Sequence, residues 1–151
     1  MNKSIKEVRV IGGQFKGRKL FVDDPNVKPT PDRVRETLFN WLDPVISGSN
    51  VLDLFAGTGV LAIEALSRGA LSATFVDHSQ VINKNLEKLM LILELDNYSN
   101  LCLDAYQLVS KTNGPMKQHG FIVKQTGPLI FMKILSTIFL KNLEQVKYTM
   151  L

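Results

Sequence analysis

Several common functional devices are missing from this sequence of 151 residues. It holds one cysteine, Cys102, which excludes an internal disulfide and any multi-cysteine zinc site. The setting Leu101-Cys102-Leu103 predicts a small core residue. No apolar run reaches the roughly 18 residues that suggest a membrane-spanning helix. Met1 to Arg9 lacks the apolar centre of a signal peptide, so a cytoplasmic protein is expected. No internal repeat and no low-complexity segment interrupts the chain. Acidic residues are absent between Asp104 and Glu144.

What remains is an ordinary globular balance, 45% hydrophobic and 21% charged, in a chain of about one domain. Chains of this size bury roughly 68–70% of their unfolded surface. The net charge of +4 hides an asymmetry. Residues 1–40 hold 9 Lys/Arg against 5 Asp/Glu, residues 41–114 hold 4 against 8, and residues 115–151 hold 5 against 1. A basic front on an acidic body points to a polyanion contact confined to one region.

The order of elements follows from periodicity. Val8, Val10, Leu20 and Val22 suit two short strands, joined through Gly12, Gly13 and Gly17 in a basic hairpin that carries Lys16, Arg18 and Lys19 near its bend. Thr30-Pro31-Asp32 reads as a helix start, with Thr30 as cap. Val34, Leu38, Trp41 and Leu42 form the apolar stripe of that helix, and Arg33 and Arg35 lie off it. Asn50 to Phe55 is a buried strand, Ala56 to Gly59 a tight turn, and Val60 to Ser67 a helix. Ala73 to Val76 is a second strand, stopping at Asp77. Ser79 caps a helix that buries Val81, Ile82, Leu86, Leu89, Met90 and Leu93. Asn100 to Leu103 is a third strand before Asp104, Ala105 to Lys111 a helix, and Phe121 to Val123 the start of a fourth strand. Strands alternating with helices predict an α/β fold on a parallel sheet.

The glycine turn carries the chemistry. Gly57-Thr58-Gly59-Val60-Leu61-Ala62 fits the dinucleotide fingerprint, a weak signal taken alone. The acids around it favour a cationic nucleoside, S-adenosylmethionine. Asp53 precedes Gly57 by four residues on the strand, where a carboxylate repels a pyrophosphate and can accept from an ammonium group. Asp77 can take both ribose hydroxyls, a role shared with dinucleotide enzymes. Asp104 can accept from the adenine amino group. Each acid singly also reads as a helix cap or loop residue.

Four stretches then carry a resemblance: Arg9 to Leu20 (RVIGGQFKGRKL), Lys28 to Leu42 (KPTPDRVRETLFNWL), Asp53 to Gly59 (DLFAGTG) and Glu64 to Ala70 (EALSRGA), followed by Asp104-Ala105. The sequence resembles the RsmD-type 16S ribosomal RNA (guanine-N2)-methyltransferases from residue 8 to about 114. The resemblance implies a Rossmann-like S-adenosylmethionine-dependent methyltransferase fold with an N-terminal β-hairpin extension. It divides the chain into an RNA-facing extension (1–48), a cofactor-binding core (49–114) and a divergent tail (115–151). It implies methyl transfer to the exocyclic N2 of a guanine, on naked 16S RNA or an assembling small subunit, by a monomer without metal. Asp53, Phe55, Gly57, Gly59, Asp77, Asp104 and the Ala105 backbone would bind the cofactor. Lys16, Arg18, Lys19, Arg33 and Arg35 would face RNA, with Thr30 beside the meeting point of cofactor and target.

The tail departs from the family. An Asp-Pro-Pro-Phe or Asp-Pro-Pro-Tyr motif closes the family's fourth strand and holds the poorly nucleophilic guanine amine toward the methyl donor. Here Gly120 to Val123 runs into Lys124-Gln125-Thr126-Gly127-Pro128, so no catalytic residue can be assigned. Our hypothesis is that the tail is read out of frame, since a shifted frame permits Asp-x-Pro-Pro-Tyr across Gln125 to Ile130. Translating the gene's other frames tests this, and a genuine divergent tail is the alternative. The expected product is an incomplete sheet with an open edge, marginal stability and impaired transfer. The apolar stretch Pro128 to Leu140 is expected to cover part of that face as a helix. Two rival readings stand beside the leading one, a non-catalytic RNA-binding module and a nicotinamide-dependent oxidoreductase.

Overall fold

A computed structural model describes residues 5–110 and 129–131. Strands β1 (Lys6–Arg9) and β2 (Lys19–Val22) pair antiparallel, with Val8 opposite Leu20. Alternation turns Val8, Leu20 and Val22 inward and leaves Phe21 exposed. The connector needs its glycines. Gly13 adopts φ +75°, and a Cβ there would stand 2.0 Å from the Ser67 carbonyl oxygen.

Helix α1 spans Asp32–Ile46. The Pro31 carbonyl accepts the first helical hydrogen bond, from the Arg35 amide at 3.0 Å. Pro31 therefore occupies the cap position, and Thr30, expected there, supplies no cap. The apolar stripe is also rotated from the expected one. Arg35, Leu38, Phe39, Leu42 and Ile46 are buried, while Val34 is half-buried and Trp41 exposed.

Four parallel strands follow: β3 (Asn50–Asp53), β4 (Ser72–Asp77), β5 (Tyr98–Cys102) and β6 (Leu129–Phe131), side by side in the order β5-β4-β3-β6. The chain steps outward from β3 to β5, then returns to place β6 against the opposite side of β3. Such a reversal is a topological switch point, where open α/β sheets bind ligands beyond the carboxyl ends of their strands. Leu129–Phe131 lies in the stretch expected to be helical, and it is a strand. The remainder of that stretch, and Phe121 to Val123, lie outside the described residues.

Between the strands run α2 (Val60–Ser67), α3 (Gln80–Ile92) and α4 (Ala105–Ser110). Ser79 caps α3 as expected, accepting from the Ile82 amide at 3.3 Å. Val81 does not join the buried side of α3 and is 52% exposed. Strand alternation feeds both faces of the sheet. Val51, Ala73 and Phe75 pack beneath the hairpin, α1, α2 and α3; Leu52, Leu54 and Val76 pack with Ala105 of α4. Val8, Phe15, Leu20, Leu38 and Phe39 belong to the same cluster as Val51 and Phe75, so the hairpin and α1 share a core with the sheet. Cys102 ends β5 at the sheet edge and is exposed, contrary to the expected core position, with Sγ 3.6 Å from the His78 carbonyl. Among the described residues no helix is long and apolar enough to cross a membrane.

Candidate functional site

Parallel pairing places the ends of β3, β4 and β5 on one edge. Asp53 closes β3, Asp77 closes β4, and Asp104 stands between β5 and α4. With neighbouring strands about 4.8 Å apart, the three positions span roughly 10 Å. The glycine turn sits in front of them. Gly57 and Gly59 adopt φ +53° and +73°, and Gly59 is the left-handed cap of α2. A Cβ on Gly59 would lie 2.3 Å from Leu86 Cδ2, so this glycine also lets α3 close on the turn.

Each acid has a different local role. Asp77 Oδ2 accepts from the Gly57 amide at 3.1 Å and Oδ1 from the Ser79 amide at 3.0 Å, which ties the turn to the start of α3. A carboxylate has about four acceptor sites, so Asp77 keeps capacity for further donors. Asp53 is only 1% exposed, and its Oδ1 accepts from the Phe55 amide at 3.4 Å. It underlies the turn and does not line an open surface. Asp104 is exposed and caps α4 through the Gln107 amide at 3.0 Å. Ala105 is buried against Leu52, Leu54 and Val76, with Phe55 packed beside them. All seven residues expected at a cofactor therefore lie on one edge, and the described residues contain no group of three or more His, Cys, Asp or Glu suited to a metal.

The expected RNA-facing cations separate. Lys16, Arg18 and Lys19 are exposed on the hairpin. Lys19 pairs with Glu7 at 3.0 Å, and Arg18 donates to the Ile92 carbonyl at 3.4 Å. Helices α2 and α3 both start at the carboxyl edge and run away from it. The hairpin connector meets their far ends, through Gln14 to Ser67 and Arg18 to Ile92. A helix of 13 residues is about 20 Å long. The hairpin bend is thus at the opposite edge from the carboxylates. Arg33 is exposed in the first turn of α1, which begins toward the carboxyl edge because α1 leads directly into the start of β3.

Arg35 is corrected outright, because it is fully buried and presents no surface to RNA. Its Nε donates to the Thr30 carbonyl at 3.1 Å, and one terminal nitrogen donates to the Arg9 carbonyl at 2.8 Å and to Glu64 Oε2 at 3.2 Å. Its other terminal nitrogen meets Asp32. Glu64, also fully buried, accepts from the Ile11 amide at 3.0 Å and from Arg68 Nε at 3.2 Å. Arg68 lies over the Phe39 ring, 4.9 Å from its centroid. This network joins the hairpin, α1 and α2. Residue spacing contained the signal, since 35, 38, 39, 42 and 46 follow one helical face; a search restricted to apolar residues passes over Arg35.

Known proteins match this arrangement. The family described as conserved hypothetical protein 95 matches residues 8–123. The Escherichia coli K12 protein named ribosomal RNA small subunit methyltransferase D is 44% identical over 110 residues, covering 72% of this chain and 56% of that protein. Its Haemophilus influenzae namesake is 51% identical over 83 residues, covering 54% and 43%. A solved Escherichia coli structure, described there as a methyltransferase, superposes with a TM-score of 0.65 at 44% identity, covering 70% of this chain and 57% of that one. The chain spans about half the length of the relatives it matches. The front motifs, the glycine turn and the shared sheet place this chain in the RsmD-type ribosomal RNA methyltransferase family.

Proposed function

We propose that this chain descends from an S-adenosylmethionine-dependent enzyme that methylates the exocyclic N2 of a guanine in 16S ribosomal RNA, and that it retains the cofactor edge while lacking the groups that position the guanine. One observation carries the cofactor half: three acids stand at the ends of three adjacent parallel strands beside a glycine turn, at the switch point of the sheet. When bound, the cofactor supplies an electrophilic methyl group on a sulfonium. Asp77 accepts from the ribose hydroxyls with its remaining acceptor capacity. Asp104 accepts from the adenine amine, beside the Ala105 backbone. Phe55 supplies apolar contact near the turn. Buried Asp53 acts through its negative field and its hold on the Phe55 amide, favouring the ammonium end. The names of the relatives support ribosomal RNA as the substrate class. A cytoplasmic setting and a monomer remain our readings.

Impaired transfer rests on the sequence after β6. Met132-Lys133-Ile134-Leu135 offers no acid and no proline turn, and no carboxylate occurs from residue 105 to 143. A guanine amine delivered to this edge would lack the carboxylate that the family motif supplies to hold its lone pair toward the methyl group. The same observation favours a second reading, an RNA-binding module without turnover. The oxidoreductase reading is disfavoured by Asp53, a buried carboxylate behind the turn where a pyrophosphate would sit.

Calorimetric titration with S-adenosylhomocysteine tests the cofactor site, and tritium transfer to 16S RNA tests turnover. Asp77→Ala removes charge-assisted hydrogen bonds worth about 1.5–3 kcal/mol, so affinity should fall on the order of 10- to 150-fold. Wild-type binding without transfer is the expected pair of results. Absence of wild-type binding sinks the cofactor reading, and rapid RNA methylation sinks the impairment.

A further inference from the structure

Helix α3 exposes one row that no role above uses. Lys84 and Lys88 are both exposed and lie one helical turn apart. The next position on that row is Ile92, whose carbonyl holds the Arg18 guanidinium. Lys84 and Lys88 stand about 6 Å apart along the helix, and Arg18 follows beyond them at its C-terminal end, so three cations succeed one another along its length. Arg18 at the helix C-terminus also complements the helix dipole there. Neither lysine enters an ion pair among the described residues. Glu87, on the adjacent row, is the one acid of α3.

The direction of this row matters. It starts near Ser79, beside Asp77 at the carboxyl edge, and ends at the hairpin on the opposite edge. A polyanion held by Lys16, Arg18 and Lys19 alone would stop about 20 Å short of the cofactor edge. We infer that the Lys84–Lys88–Arg18 row is a phosphate track, along which a single-stranded segment of the RNA passes from the hairpin to the carboxyl edge. This inference rests on the RNA reading above and adds the path to it. Regular cations along an exposed helix can follow a backbone without reading its sequence.

The test measures binding of a fluorescein-labelled single-stranded RNA of mixed sequence to the full chain, by anisotropy across a salt series. Each phosphate contact to a single strand contributes about 0.7 to the slope of log affinity against log salt. Lys84→Ala/Lys88→Ala should lower the slope by about 1.4, with charge reversal at both positions weakening binding further. Both lysines are exposed and alanine favours helix, so circular dichroism should show an unchanged fold. A separate Lys16→Ala/Lys19→Ala variant isolates the hairpin. A slope unchanged in the α3 variant but reduced in the hairpin variant overturns the track and leaves the RNA reading intact. A wild-type slope of zero overturns both.

Discussion

The carboxyl edge of the sheet and the junction of hairpin, α1 and α2 both concentrate charge, and they treat it in opposite ways. At the junction, Arg35 and Glu64 are fully buried, and each has several partners. At the edge, Asp77 and Asp104 each hold local amides and keep acceptor capacity in reserve. A buried network can lock elements together, because its charged groups hold one another in place of solvent. A site that must receive a ligand needs unfilled capacity. The motifs around Arg35 and Glu64 therefore serve assembly of the domain, while we propose that Gly57 and Asp77 serve recognition.

Breaking the junction should give the largest effect. Glu64→Ala removes the fully buried carboxylate shared by Arg35, Arg68 and the Ile11 amide, leaving Arg35 only the largely exposed Asp32 as an acidic partner, a loss of about 3–5 kcal/mol in urea denaturation. A loss below about 1 kcal/mol would mean that water readily replaces the carboxylate and that the network is not a lock.

The connector separates space from backbone strain. Gly13→Ala meets both a positive φ and the Ser67 carbonyl, whereas Gly17→Ala meets a φ of +85° and open space. The first should lose about 2–4 kcal/mol and the second about 1 kcal/mol, measured by the same denaturation. Equal losses would show that the connector shifts to admit the methyl group.

Arg33→Ala should give the smallest effect, within about 0.5 kcal/mol, because its side chain is exposed. Set beside Glu64→Ala, which strips buried Arg35 of a partner, it asks whether the exposed and the buried arginine of one motif differ as their burial says. A loss comparable to that of Glu64→Ala would erase the distinction.

Much of the sheet was legible because hydrophobic period and glycine turns are local. Helix α2 begins and ends where Val60 and Ser67 predict, and Asp53 and Asp77 close their strands because a charge rarely continues a buried strand, while β5 runs Tyr98–Cys102 and ends two residues before Asp104. The misses share a cause. Thr30 and Pro31 compete for a cap by geometry that no residue type fixes. Cys102 and Val81 look apolar, yet one ends an edge strand and the other lies on the outer side of α3. In each case, exposure depends on what packs from elsewhere in the chain.

Sequence by itself determined the alternation of strands and helices, the glycine turn and the set of acids around it, because these follow from short-range sterics and periodicity. Tertiary structure decided what Arg35 braces against, since Glu64 lies 29 residues away in sequence and reaches it only when α1 packs on α2. It also decided that the hairpin cations stand at the far edge from the carboxylates. That separation comes from the direction of α2 and α3, which parallel pairing of the strands imposes.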